Sequence, residues 1–302
     1  MFSQFTTRYS SSSSSSSSIL RATTRYTRRT FSMTKPTPSH ATASSSSATT
    51  KPADSKQTPP TTNTAANDDD DPVTHTQQPI IFAPKTYQYT KGHMDVNDLL
   101  PNPFEQFHKW FKEAQEQLPA NSDIIVESTN FSTARLPSGR VSSRIVLLKE
   151  LDKYGFLVYS NWNTSKKAED FNSNKYAALT FFWPHVQRQV RVEGIMEHVT
   201  RETSERYYNT RPRGSKIGAW ASPQSQVISS RDDLSRLNDE YTEKFKDLPD
   251  DAIPCPEYWG GIRIEPLEVE FWQGGVSRLH DRVTFRRDDI ANPNWEVVRL
   301  AP

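Results

Sequence analysis

The chain has 302 residues with 37 basic and 36 acidic groups, and 34% of it is apolar, enough for one sizeable core. The charge is uneven. Residues 1–53 hold seven basic groups (Arg8, Arg21, Arg25, Arg28, Arg29, Lys35, Lys51) and no acid, which leaves 30 basic against 36 acidic groups, a net of −6, in the remainder. A mildly acidic body lacks the basic face that nucleic acid requires, and no apolar run approaches the ~20 residues of a membrane span, so neither nucleic acid nor membrane is an expected partner.

Residues 1–80 are rich in Ser, Thr and Pro, with an unbroken run from Ser10 to Ser18 and an acidic patch from Asp68 to Asp71. So little apolar surface cannot offset the entropy of ordering, and disorder is predicted. The Arg-rich, acid-free start matches a mitochondrial transit peptide, and Met33 offers a start for a cytosolic form. Residues 81–302 are predicted to form the folded domain and hold all seven tryptophans. Cys255 is the only cysteine and the seven histidines lack helical zinc spacing, so neither a disulfide nor a metal site is expected.

Asn102-Pro103 opens a helix, with Asn as cap and Pro at the first helical position. Phe104, Phe107, Trp110, Phe111, Ala114 and Leu118 give it an apolar stripe at three-to-four spacing. Val141 to Leu148 and Gly155 to Tyr159 read as strands joined by a polar turn over Glu150 to Tyr154. Tyr176 to Trp183 is nearly all apolar, which predicts a strand buried on both faces. Gln187 to Val199 alternates as a strand. Helices are predicted over Glu202 to Asn209, capped by Thr200 or Thr203, and from Ser230, with Leu234, Leu237, Tyr241 and Phe245 on one face. Four strands close the chain: Gly261 to Ile264, Leu267 to Trp272, Arg282 to Arg286 and Trp295 to Leu300. Many short strands with interrupting helices suggest an antiparallel, barrel-like sheet with helices outside.

The segment from Phe271 to Arg282 concentrates Trp272, Gly274-Gly275, Arg278, His280 and Arg282. Two guanidiniums flanking an imidazole suit an anionic, planar ligand; a hairpin turn with solvated charges is the alternative. Arg144 and Lys149 bracket the apolar Ile145 to Leu148, and a buried strand rarely holds cations without an anion, although Lys149 equally reads as an exposed strand end. Ser165-Lys166-Lys167 reads as a polar loop, and Gln189 offers an amide able to donate to and accept from a heterocycle edge. Tyr207, Arg211 and Ser215 each carry a phosphate donor at a spacing of four. Pro212 interrupts the helix between them, which sets Ser215 on the following turn beside Gly214. Gln224-Ser225 adds a donor pair in a loop. Taken together, these groups provide donors for two phosphates and two flat rings.

Four motifs, Arg144 to Lys149, Arg188-Gln189-Val190, Arg211 to Trp220 and Trp272 to Arg282, with the ending Arg299-Leu300-Ala301-Pro302, make residues 95–302 resemble the pyridoxamine (pyridoxine) 5′-phosphate oxidase family, in its fungal form. The resemblance implies an α+β, mainly β fold: an FMN-binding split β-barrel, a Greek-key antiparallel barrel with helices packed outside, as a homodimer with FMN at the subunit interface. It assigns FMN contacts to Arg144, Ile145, Val146, Leu147, Leu148, Lys149, Tyr159, Ser160, Lys166, Lys167, Gln189, Gln224, Ser225, Trp272 and Arg282. It gives the substrate phosphate to Lys149, Tyr207, Arg211 and Ser215, and the pyridine ring to Arg278, Leu279 and His280, with Arg278 and His280 catalytic. The implied reaction oxidises pyridoxamine 5′-phosphate or pyridoxine 5′-phosphate to pyridoxal 5′-phosphate, with O2 as acceptor and H2O2 as product; the amine also releases ammonia. The alternative is a non-catalytic FMN or pyridoxal phosphate binder on the same barrel. Two departures stand out. Lys166 replaces the family's usual Arg, and Thr86 stands three residues before Tyr89, where an Arg is common in a segment that can cover substrate.

Overall fold

The computed structural model describes residues 86–302, within a compact unit spanning Gln77–Pro302. The Ser run, the transit-like start with Met33, the acidic patch, Lys85 and the expected boundary at residue 80 lie outside the described residues.

One helix plugs the fold. α1 (Pro103–Glu116) starts where Asn102 accepts from the Phe104 N–H, and it buries Phe107, Trp110 and Ala114. Phe107 meets Phe156 and Phe181 edge-on, each at 4.9 Å between ring centres, and Trp110 meets Phe271 at 5.2 Å. Each such ring buried contributes about 1.5–3 kcal/mol. The predicted stripe is therefore the inner wall of the core.

Around α1 curls an antiparallel sheet: β1 (Ser128–Arg135), β2 (Arg140–Leu147), β3 (Glu150–Leu151), β4 (Phe156–Asn161), β5 (Tyr176–Trp183), β6 (Arg188–His198), β7 (Trp259–Gln273), β8 (Asp281–Arg286) and β9 (Glu296–Leu300). The order runs β2-β1-β5-β6-β7-β4-β3, with β8 and β9 added beside β7. The result is a half-barrel, flanked by α2 (Lys166–Ser173), α3 (Arg201–Asn209), α4 (Arg213–Ala221) and α5 (Arg231–Lys244).

β7 joins the two tail strands that the sequence separates at Glu265-Pro266. Its one edge pairs with β6 along most of its length; its other edge takes β4 over 259–264 and β8 over 268–273. Pro266 falls in the gap between those partners, where its missing N–H disturbs the ladder least. Opposite it, Gly194 faces Pro266 while Glu193 faces Glu268, a bulge that sharpens the curl.

Other expectations need correction. β5 alternates: Leu179 and Phe181 are buried, but Tyr176 and Phe182 are 60% and 48% exposed, because α1 covers only the concave face. Glu150 and Leu151 leave the expected turn to pair with β4. β1 escaped detection because two of its three buried residues are Thr129 and Thr133, which blunt its apolar alternation. Ser165-Lys166-Lys167 is no loop: Ser165 caps α2, accepting from the Ala168 N–H. Ser215 lies in α4, which restarts at Pro212 as its cap residue.

A Cβ at Gly194 would fall inside contact distance of the Glu265 carbonyl and 2.8 Å from Pro266 Cα, all backbone. Gly194→Ala should therefore lower unfolding stability by about 2 kcal/mol, seen as a shifted denaturant midpoint. Gly214→Ala, where the methyl meets open space, should show no loss.

Candidate active site

A cleft of about 700 Å3 opens between β2, β4, α2 and the α3–α4 joint. It gathers Arg144, Ile145, Val146, Leu147, Lys149, Tyr159, Ser160, Lys167, Tyr207, Arg211, Ser215 and Gln224, twelve residues singled out in the sequence. Strand alternation on β2 turns Arg144 inward. Its Nη1 donates to the Phe131 carbonyl at 3.0 Å and to Thr133 Oγ1 at 2.8 Å, and its Nη2 to Ser142 Oγ at 2.7 Å.

Behind it stands a residue the sequence reading missed. Asp170 on α2 is fully buried and accepts from Thr133 at 2.6 Å and Ser142 at 2.7 Å. Burial alone would raise its pKa; those hydroxyls, with Lys166 and Arg144, outweigh burial and hold the carboxyl below its usual range. The available signal was an acid four residues after Lys166 on an amphipathic helix.

Lys167 is only 7% exposed, and its Nζ donates to Gln224 Oε1 at 2.6 Å. Burial first, then the neighbouring Arg144 charge, pushes it down to about 8. No carboxylate pairs with it among the described residues, so this end of the cleft is shaped for an anion. Local structure places it. Asn161 at the end of β4 accepts from the Asn163 and Thr164 N–H groups, turning the chain into α2. The 222–230 loop is clipped on: Thr164 donates to the Gln224 carbonyl and the Lys166 N–H to Ser225.

The other end is built at the α3–α4 joint. Arg211 lies 4.7 Å over the Trp259 ring, and its Nη1 is buried with no hydrogen-bond partner. Burial lowers its pKa, partly opposed by Tyr207 and Tyr208. The Tyr208 hydroxyl donates to the Lys216 carbonyl at 3.0 Å and fixes the angle between the helices, so Tyr207, Arg211 and Ser215 face one space although no single helix carries them. Tyr159 stacks on Tyr207 at 4.1 Å and donates its hydroxyl to Glu150. Burial, then the Glu150 hydrogen bond and charge, pushes its phenol well above the usual range. Trp259, also missed, floors this end.

The remaining candidates lie elsewhere. Leu148 turns into the core, and Lys166 stays half exposed, 3.8 Å from Asp170. Gln189, Trp272 and Arg282 stand opposite one another on β6, β7 and β8. Arg282 is held by Glu270 at 2.7 Å and by the Ala301 carbonyl at 2.8 Å. The Trp272 and His280 rings lie 4.7 Å apart, and the Gly275 N–H donates to His280 Nδ1 at 3.1 Å, which leaves Nε2 outside that bond. Tyr89 stands edge-on to both rings, and Gly274 has no side chain because that ring fills the space. Ser277 and Arg278 adopt φ of +55° and +64°, a strained turn that presents exposed Arg278 and Leu279. Trp259 and Trp272 sit thirteen residues apart on β7, roughly 40 Å along a straight strand. One copy of the chain thus holds these two groups of candidate residues at opposite ends of β7.

Family models match residues 111–237 ("Pyridoxamine 5'-phosphate oxidase") and 259–302 ("Pyridoxine 5'-phosphate oxidase C-terminal dimerisation region"). Pyridoxamine 5′-phosphate oxidase of Saccharomyces cerevisiae is 60% identical over 227 residues, 75% of this chain and 97% of the relative. A probable pyridoxamine 5′-phosphate oxidase of Schizosaccharomyces pombe is 54% identical over 228 residues, with the same coverage. Among solved structures, PhzG from Burkholderia lata, in complex with tetrahydrophenazine-1-carboxylic acid, superposes with a TM-score of 0.60 at 24% identity, covering 70% of this chain and all of that one. A pyridoxamine 5′-phosphate oxidase-related, FMN-binding protein of Nostoc punctiforme gives 0.50 at 14% identity, covering 65% and 97%. These two likenesses bear on the fold alone, a split barrel.

Lys167 is charged below about pH 8 and neutral above it. A phosphate ester, already dianionic at pH 7, should bind up to about tenfold more weakly at pH 9 than at pH 7. Calorimetric titration with FMN at both pH values checks this; Lys167→Gln should bind weakly and flatten the dependence.

Proposed function

The chain belongs to the pyridoxamine 5′-phosphate oxidase family, and on that premise we propose that it oxidises pyridoxamine 5′-phosphate and pyridoxine 5′-phosphate to pyridoxal 5′-phosphate, using FMN and dioxygen. The observation that carries this reading is a single cleft with two ends that carry surplus positive charge: buried Lys167, paired with no carboxylate, beside Arg144, and Arg211 with an unpartnered buried Nη1. Two phosphates, one on the cofactor and one on the substrate, fit two such ends.

The donor set fits FMN. Arg144, Lys167, Gln224 and Ser225 would hold its phosphate, and Ile145 to Leu147 would give its ring system an apolar edge. Bound there, FMN would supply the two-electron oxidation, with dioxygen as final acceptor and hydrogen peroxide as its reduced product. Lys149, Tyr207, Arg211 and Ser215 take the substrate phosphate, so binding energy far from the reacting carbon orients the ring. For the amine, water hydrolyses the imine product and ammonia departs.

The ring-facing residues come from a second copy. Arg278 and His280 lie on the far half-site of their own chain, so a complete site needs another chain's turn over the cleft. The exposed apolar residues Val141, Ile145 and Leu147 on β2, with Tyr176 and Phe182 on β5, support a homodimer contact, as does the match to a dimerisation region. His280, fixed through Nδ1, offers Nε2 to the substrate, and Arg278 brings positive charge to the ring.

Purified protein should be yellow and should generate peroxide from pyridoxamine 5′-phosphate; a yellow but inert protein would favour a binding role. Arg211→Ala should raise KM at least tenfold, and an unchanged KM removes Arg211 from the substrate end. Assayed at substrate well below the wild-type KM, where each single variant is weakly active, Arg211→Ala and Arg278→Ala chains should regain about a quarter of wild-type activity when co-refolded. Half the dimers are hybrids, and each hybrid has one intact site. No recovery would mean that each site belongs to one chain.

A further inference from the structure

We infer that Glu150 is a positioning residue for the substrate-phosphate end of the cleft, acting through Tyr159 on Tyr207. The inference rests on the reading of that end given above. Neither Glu150 nor its partner Arg206 belongs to the motifs that carry the family resemblance.

Glu150 opens β3, immediately after Lys149, and its side chain is three-quarters covered. One carboxylate oxygen accepts from the Tyr159 hydroxyl at 2.7 Å, the other from Arg206 Nη2 at 2.5 Å. Arg206 is largely exposed, so this ion pair contributes little stability by itself. What it does is fix the second oxygen, which leaves the first aimed at Tyr159.

Tyr159 is held by two stacked rings and by backbone, with its remaining surface on the cleft. Its ring packs 4.1 Å from Tyr207 with the planes within 27°, and 5.7 Å from Trp259 with the planes within 15°. Backbone closes in beneath it, since a Cβ on Gly261 would come within 2.7 Å of the ring. The hydroxyl bond to Glu150 is the one directional contact in this set. Stacking alone lets a phenol slide and tilt in its plane, whereas a hydrogen bond at the rim sets its rotation. Without the Glu150 acceptor, the Tyr159 hydroxyl would seek its hydrogen bond in the polar cleft, and the face that supports Tyr207 would move. Tyr207 and the Arg211 guanidinium over Trp259 rest on the same three-ring stack, so the displacement reaches both phosphate donors. The phosphate end around Arg144 and Lys167 is held independently, by Asp170 and Gln224.

The test uses the full chain loaded with FMN. Glu150→Ala should raise KM for pyridoxamine 5′-phosphate about tenfold, with kcat and the Kd for FMN within about twofold of wild type. Glu150→Gln keeps an oxygen that accepts from the Tyr159 hydroxyl and should stay within about threefold of the wild-type KM. An unchanged KM in Glu150→Ala overturns the inference, as does an FMN Kd that rises by the same factor as KM. A Glu150→Gln variant as impaired as Glu150→Ala also overturns it, because the effect would then follow charge. The Kd for pyridoxal 5′-phosphate, followed by its absorbance, should rise in parallel with KM. If the wild-type chain binds pyridoxal 5′-phosphate but oxidises nothing, the proposed activity fails and this Kd series alone decides the positioning role. A wild-type chain that binds no phosphate ester overturns both.

Discussion

Everything about this site depends on the length and stiffness of β7. A fifteen-residue strand hydrogen-bonded to β6 on one edge, and to β4 and then β8 on the other, cannot fold back on itself. It therefore holds Trp259 under the cleft and Trp272 beside His280 as two fixed points far apart. The bulge at Gly194 and the placement of Pro266 let the sheet curl without breaking that strand. A rigid divider of this kind keeps the two groups of candidate residues apart within one chain, which is the constraint behind the proposed sharing of the site between two copies.

The electrostatics follow the same economy. Arg144 and Lys167 share a pocket in which one buried carboxylate, Asp170, serves both Arg144 and Lys166. Asp170 stays ionised because hydroxyls from two different strands, Thr133 and Ser142, donate to it, so the sheet and α2 must both be in place before the pocket acquires its charge. What remains is an excess of positive charge in a partly dry space, which favours a dianion over water. At the other end the orphaned guanidinium nitrogen of Arg211 does the same with fewer groups. The two ends are held by separate networks of hydrogen bonds, Asp170 and Gln224 at one and Glu150 and Tyr208 at the other.

Much of the fold was legible in the sequence because its cues are local. Asn102-Pro103, Thr200 and Ser230 cap helices as their residue types predict, and β6 and β8 fall within two residues of the expected bounds. Two of the misreadings share a cause. Exposure of Tyr176 and Phe182 and the fusion of two short apolar runs into β7 are set by distant neighbours, whereas Glu150 pairs with Leu157 because the hairpin turn is shorter than the polar run suggests. α2 was lost because its two lysines look like a solvated loop until Asp170 and Gln224 are brought against them.

By itself the sequence determined the helix caps, the apolar stripe of α1, the family to which the motifs belong, and twelve residues that do line one cleft. These are carried by residue type and spacing, which act over a few residues. Only the tertiary structure decided that Arg278, His280 and Trp272 stand apart from that cleft, that Asp170 and Trp259 belong to it, and that Glu150 grips Tyr159. Apart from the Glu150 contact, which crosses a hairpin of nine residues, those facts arise from strand register and burial between segments tens of residues apart, and no local pattern encodes them.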